Sequence, residues 1–291
     1  MKIPLPPDFD LAWTLEFLAA RTVPSMEAVT DGIYRRSLRV GGRALTLALH
    51  LRRGRGGAAL EVQTAPDLPD AEARRLIVRL FDLEADLAGF RAMAAADPVL
   101  RDLVPRRPGI RLPQLLDPFE GMIRAIVGQQ VSVAGAATVI DRLVRLLGEP
   151  APPLGEDRFL AFPTPEAVAA AGPEMLGRAG LTRAKSAAIH GVALAVLDGR
   201  IDWERLRTGT AEASHAALVA LPGIGPWTAS YVRMRTLGDR DAFPASDLGV
   251  IKALRARTPQ GDRITVAEIT ALAEPWRPWR GYATLHLWNS L

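Results

Sequence analysis

The sequence predicts an α+β protein in two unlike parts, a small antiparallel-sheet lobe followed by an almost wholly helical remainder. Three observations carry this. In roughly the first hundred residues, short runs of alternating apolar and polar side chains are joined by glycine-containing turns, which is the pattern of antiparallel strands. Beyond residue 113 the apolar spacing changes to the period of helices. There, prolines and glycines fall between the periodic stretches rather than inside them.

Taken in order, residues 11–20 form an amphipathic stretch, and the alternating segments 37–40, 44–51 and 59–64 read as strands, the last two joined by the Gly-rich segment 53–57. A helix over 71–87 is expected to pack on them. A connector containing Pro and Arg, 105–113, closes this lobe. Residues 119–147 are helical by period, interrupted at Gly128-Gln129-Gln130, and prolines at 150–153 break the pattern. Further helices are expected over 165–171, 183–197 and 211–220, and from Trp227, Asp247, Thr265 and Pro278 onward.

A length of 291 residues suits two or three domains, and the boundaries expected are 1–111, 112–230 and 231–291. A hydrophobic share of 48% with 23% charged residues is that of a folded, soluble chain. No basic-then-apolar leader opens the sequence, and no charge-free apolar run approaches the roughly 18 residues of a membrane span, so no membrane partner and a cytoplasmic location are expected. The absence of cysteine excludes disulfides, a catalytic thiol and iron–sulfur clusters. His50, His190, His215 and His286 show no ligand spacing, so no metal is expected. The net charge of +4 rests on arginine, lysine occurring only at 2, 185 and 252. Arginine suits bidentate contact with phosphate, so a polyanionic partner and an arginine-rich solvated surface both fit.

The most informative segment is Leu221-Pro222-Gly223-Ile224-Gly225-Pro226-Trp227-Thr228, between two helical stretches. Two glycines one residue apart allow a tight hairpin whose amides point outward at the start of the next helix, able to cradle a phosphate without reading sequence. An isolated Gly-x-Gly is more often a plain helix connection. Leu-Pro-Gly-Ile-Gly is more specific, and with Phe243-Pro244-Ala245-Ser246-Asp247 about twenty residues later the chain resembles the helix-hairpin-helix DNA glycosylases. Within them it is similar to the 3-methyladenine DNA glycosylase II, or AlkA, type. The resemblance spans nearly the whole chain, through Phe17-Leu18-Ala19-Ala20-Arg21, Arg79-Leu80-Phe81-Asp82-Leu83, Pro108-Gly109-Ile110-Arg111-Leu112-Pro113, Val131-Ser132-Val133-Ala134 and Trp279-Arg280-Gly281-Tyr282-Ala283 to Trp288.

This resemblance implies an N-terminal lobe like half of a TATA-binding-protein sheet, two all-α domains, and hydrolytic release of alkylated purines from double-stranded DNA after base flipping. Asp247 is the catalytic candidate. Its alternative is a helix cap before Leu248, where such residues usually sit. A carboxylate beside a sugar turning oxocarbenium-like stabilises that charge and orients water. Trp227, Tyr231 and Trp288 match the family's base-binding cleft, with core packing as the alternative. Related enzymes that also cut the backbone carry a lysine where this chain has Trp227, so no lyase activity is expected. The wedge that fills the vacated stack, commonly leucine, is matched by Gln130, otherwise an ordinary loop residue. Gly223, Gly225 and Thr228 are expected on the DNA backbone. Arg277 and Arg280, beside Trp276 and Trp279, read as a basic rim or, slightly better, as a solvated face. No cofactor is required; by resemblance a monovalent cation at the carbonyls around Leu221 and Ile224 is allowed. The chain is expected to act as a monomer. Two other readings stay open, a same-fold glycosylase for oxidised or mismatched bases and a non-catalytic damage-binding module.

Overall fold

In the computed structural model, which describes residues 1–54 and 57–291, a five-stranded antiparallel sheet precedes a long series of helices. The strands β1 (Lys2–Pro4), β2 (Glu27–Thr30), β3 (Ile33–Val40), β4 (Arg43–Gly54) and β5 (Gly57–Ala65) are ordered β1-β5-β4-β3-β2. Both β2–β3 and β3–β4 are joined by two-residue turns with positive φ, Asp31-Gly32 and Gly41-Gly42, which match the twist of the flanking strands. The tip expected within the Gly-rich segment 53–57 includes Arg55 and Gly56, which lie outside the described residues.

One sheet face is covered by α1 (Leu11–Ala19) and α2 (Asp70–Phe81), whose Leu76, Ile77 and Leu80 pack with Leu47, Leu49, Leu60 and Val62. The helix expected over 71–87 stops at Phe81 because Asp82 turns left-handed (φ 50°), its carboxylate held by Arg240 Nη2 at 2.6 Å and by the Tyr282 hydroxyl. Residues Ala88–Ala96 form a separate helix, α3.

The expected helical remainder is present as α4 (Pro118–Gly128), α5 (Val133–Leu147), α6 (Pro165–Gly177), α7 (Arg183–Leu197), α8 (Trp203–Thr208), α9 (Ala211–Val219), α10 (Pro226–Val232), α11 (Leu248–Arg255), α12 (Val266–Leu272) and α13 (Arg280–Asn289). A short ladder, β6 (Glu149–Pro150) with β7 (Leu160–Ala161), follows α5. Helix α6 runs past residue 171 across a kink at Gly172, and α8 carries no sequence expectation because six residues are too few to establish a period. α10 continues into a π-helical turn, Arg233–Leu237. No helix among the described residues is long and apolar enough to cross a membrane.

Three apolar cores result. One lies between the sheet and α2; a second joins Val23 and Met26 to residues 119–232; the third gathers the C-terminal helices. That third core also takes Trp13, Phe17 and residues from 85 to 112, so the expected 1–111 lobe contributes residues to all three cores. Tyr231 packs against both helical cores and therefore stands at their junction.

Candidate active site

The junction between the helical cores opens as a cleft of about 1180 Å³. Its lining includes Gln130, Trp227, Tyr231, Asp247 and Trp288, residues drawn from 158 positions of sequence, together with Thr228. Asp247 caps α11, its Oδ1 accepting from the amides of Gly249 (2.9 Å) and Val250 (3.0 Å). The capping alternative and the cleft position thus describe the same side chain. Oδ1 also accepts from Trp288 Nε1 at 2.8 Å, while Oδ2 accepts from Trp227 Nε1 at 2.9 Å and from no other group among the described residues. Four donors therefore fix the carboxylate, three on one oxygen and one on the other, and the free lone pair is on Oδ2.

The aromatic residues do more than offer faces. Trp227 stacks on Tyr231 with ring centroids 5.3 Å apart and planes 26° apart, and Tyr231 lies 6.3 Å from Trp288. A base sandwiched between two rings needs about 7 Å, twice a contact distance. Neither pair leaves that space, so the three rings form one continuous wall whose indole N–H groups hold Asp247.

The hairpin sits beside this wall. Gly223 has φ +80° and a Cβ there would come within 2.6 Å of the Ala188 methyl, so glycine is required on both counts. Gly225, exposed, has open space at its Cβ position and extended backbone as the N-cap of α10. Thr228, expected on the DNA backbone, has a side chain only 1% exposed; its hydroxyl accepts from Gln129 Nε2 at 2.9 Å and ties the hairpin to the loop. The same amide donates to the Gly223 carbonyl at 3.1 Å. Of the carbonyls named for a cation, that of Leu221 accepts from the Ile224 amide at 3.1 Å.

Gln130 is exposed and holds a left-handed backbone at φ 57°, uncommon outside glycine and characteristic of strained functional loops. Lys185, which the sequence reading did not single out, steadies this loop: its Nζ donates to the carbonyls of Val127 and Gln129, both at 2.8 Å. Desolvation holds the Lys185 pKa below its ordinary value. A lysine near the start of a helix gives no sequence signal for binding carbonyls some 56 residues away.

Arg277 and Arg280 do not form a basic rim. Arg280 Nη2 pairs with Asp241 at 2.8 Å and Arg277 Nε with Glu274 at 2.9 Å, while Trp276 is fully buried.

The chain matches two family profiles, "AlkA N-terminal domain" over residues 1–117 and "HhH-GPD superfamily base excision DNA repair protein" over 123–278. It is 36% identical to the DNA-3-methyladenine glycosylase 2 of Escherichia coli strain K12 over 282 residues, 97% of this chain and 94% of that protein. It is 38% identical to a Mycobacterium tuberculosis protein named "Probable bifunctional transcriptional activator/DNA repair enzyme AlkA", over all of this chain and 57% of that protein; the chain thus spans little more than half of that relative. Among solved structures, the 3-methyladenine DNA-glycosylase from Archaeoglobus fulgidus superposes with a TM-score of 0.85 at 26% identity, covering 99% of this chain and 97% of the other.

Proposed function

The chain belongs to the HhH-GPD superfamily of base excision DNA repair proteins, and from that premise we propose that it is a glycosylase releasing alkylated purines from double-stranded DNA by hydrolysis. The observation that carries this reading is Asp247, fixed by four donors in an aromatic-walled cleft beside the glycine hairpin. Breaking the bond between C1′ and the base nitrogen leaves positive charge on the sugar. A preorganised carboxylate stabilises that charge as it develops, and the unshared lone pair on Oδ2 orients the attacking water. An alkylated purine such as 3-methyladenine is already cationic and departs neutral, so one carboxylate suffices.

The aromatic wall of Trp227, Tyr231 and Trp288 attracts such a base by stacking and cation–π contact, worth about 0.5 to 2 kcal/mol per ring. The exposed, strained Gln130 enters the gap left by the flipped nucleotide, and the amides at Gly223 and Gly225 hold a backbone phosphate. Trp227 occupies the place of an amine nucleophile, so the product is an abasic site and borohydride traps no enzyme–DNA adduct. The protein works as a monomer in the cytoplasm, one molecule to one lesion.

Incubation with methylated duplex DNA tests this: freed 3-methyladenine and 7-methylguanine are the expected products. Asp247→Asn keeps the cap geometry and should cut release by about 100-fold or more while retaining duplex binding. Near-normal release by that variant overturns the assignment.

A further inference from the structure

Two turns are proposed to meet DNA, the glycine hairpin and the loop of Gln130, and both rest on one helix. Ala188 of α7 lies close against the hairpin at Gly223, and Lys185, one turn earlier on the same face of α7, reaches the loop with its ammonium group. Helix α4 ends at Gly128, so the carbonyls of its last turn must find donors outside the helix. That of Ile126 accepts from the Gln129 amide at 3.3 Å and that of Gly128 from the Val131 amide at 3.4 Å. Those of Val127 and Gln129 accept from Lys185 Nζ, both at 2.8 Å. The cation thereby also meets the negative end of the α4 dipole.

Lys185 itself occupies an unfavourable place. It stands in the first turn of α7, where the partial positive charge of the helix amides repels a cation; desolvation lowers its pKa, and it has no carboxylate partner among the described residues. What its ammonium group does there is set the shape of the loop. The Gln129 carbonyl belongs to the planar peptide that joins Gln129 to Gln130, so a bond to that oxygen fixes the plane from which the left-handed Gln130 departs. The Gln129 side chain donates to the Gly223 carbonyl at 3.1 Å and to Thr228 Oγ1 at 2.9 Å, tying the same loop to the hairpin. Hairpin, α7 and loop therefore close a triangle of contacts, with Ala188 against Gly223, Lys185 on Gln129 and Gln129 on Gly223 as its sides.

We propose that Lys185 is a positioning residue for base flipping: its ammonium group holds Gln130 in the left-handed conformation that enters the vacated stack, at a distance from the phosphate-holding hairpin that α7 fixes. The proposal rests on the glycosylase reading with Gln130 as its wedge, and names what sets that wedge. When a nucleotide turns out of a duplex, its partner base loses a stacking neighbour. A wedge already in place replaces that contact without first ordering its own backbone. Without the ammonium group, the two carbonyls turn toward water and Gln130 leaves the left-handed region for commoner ones. The loss then falls on flipping, and chiefly where a partner strand is left behind.

The test compares single-turnover release of 7-methylguanine from a duplex and from the same lesion strand alone, by the parent protein, Lys185→Met, Lys185→Arg, Gln130→Ala and the double variant of Lys185→Met with Gln130→Ala. The ratio of duplex to single-strand release should fall about tenfold in Lys185→Met and recover in part in Lys185→Arg, which keeps the charge and its donors. In the double variant it should fall no further than in Gln130→Ala, because both changes remove the same wedge. A merely structural lysine would slow release from both substrates alike; an unchanged ratio, or losses that add in the double variant, overturns the assignment. Should Lys185→Met not fold, Lys185→Gln, which keeps a donor and loses the charge, decides by the same ratio. A parent protein that frees 7-methylguanine from neither substrate overturns the glycosylase reading beneath, whereas an active parent whose ratio Lys185→Met leaves intact overturns the role of Lys185 alone.

Discussion

The two oxygens of Asp247 are not equivalent, and the difference lies in the tryptophans. Oδ1 is saturated by two helix amides and Trp288 Nε1; Oδ2 has only Trp227 Nε1 and keeps a lone pair for water or the sugar. The helix amides alone set the carboxyl position, as at any cap, but the indoles set its rotation. Trp288→Phe keeps the aromatic surface and removes one donor to a charged acceptor, a loss of about 1.5 to 3 kcal/mol. Base release under saturating DNA should therefore slow roughly tenfold to a hundredfold while binding to lesion-containing duplex changes little. If the variant instead weakens binding and leaves the rate of release intact, Trp288 is a stacking surface only. From sequence alone Trp288 carries only a stacking role, because an indole at a pocket position signals its face, whereas the direction of its N–H depends on a partner 41 residues away.

Among the elements, α4 is the one that brings the loop of Gln130 to the cleft, and its start is under electrostatic tension. Asp117 caps it by accepting from the amides of Phe119 (2.9 Å) and Glu120 (3.3 Å), yet it is 9% exposed. Burial, and then the adjacent charge of Glu120, push its carboxyl up to about 6. The folded protein thus holds this proton to higher pH than the unfolded chain does. Its stability falls as pH rises from about 4 to about 6 and is lower by a constant amount above that, on the order of 3 kcal/mol for two pKa units. Asp117→Asn keeps an acceptor at the cap without the charge. It should raise the urea midpoint by the equivalent of about 1 to 3 kcal/mol at neutral pH, and the gain should vanish near pH 4. Equal midpoints for the two proteins at neutral pH would show that the cap's charge carries no such cost.

At the scale of the whole molecule, what was legible in the sequence was whatever repeats locally. The strands β3, β4 and β5 and the long helix α5 carry strong periods, while β1 has three residues and β2 only four, too few for a pattern, although the Asp31-Gly32 turn marks the hairpin that β2 opens. The hairpin and Asp247 were legible because their spacing is short. Lys185 was not, since its meaning depends on contacts that only the assembled fold supplies. The joint between sheet and helices belongs to the same class. Arg36 of β3 grips both oxygens of Glu120 on α4 at 2.9 Å, Arg124 bridges Glu120 and Glu27, and the Tyr34 hydroxyl donates to Glu27 at 2.6 Å, all nearly out of solvent. Removing one member of such a network strands the others as buried uncompensated charges, which costs about 3 to 5 kcal/mol. Glu120→Gln should lower stability to denaturant by that amount. The double variant Arg36→Met with Glu120→Leu should lose much less than the sum of the corresponding single changes, because the second removes a charge that the first left unpaired. Additive losses would mean that the sheet and helices are joined by apolar packing alone. A coupled loss would place the polar network among the contacts that hold the sheet lobe against α4, and with it the side of the cleft that Arg21 and Phe17 provide.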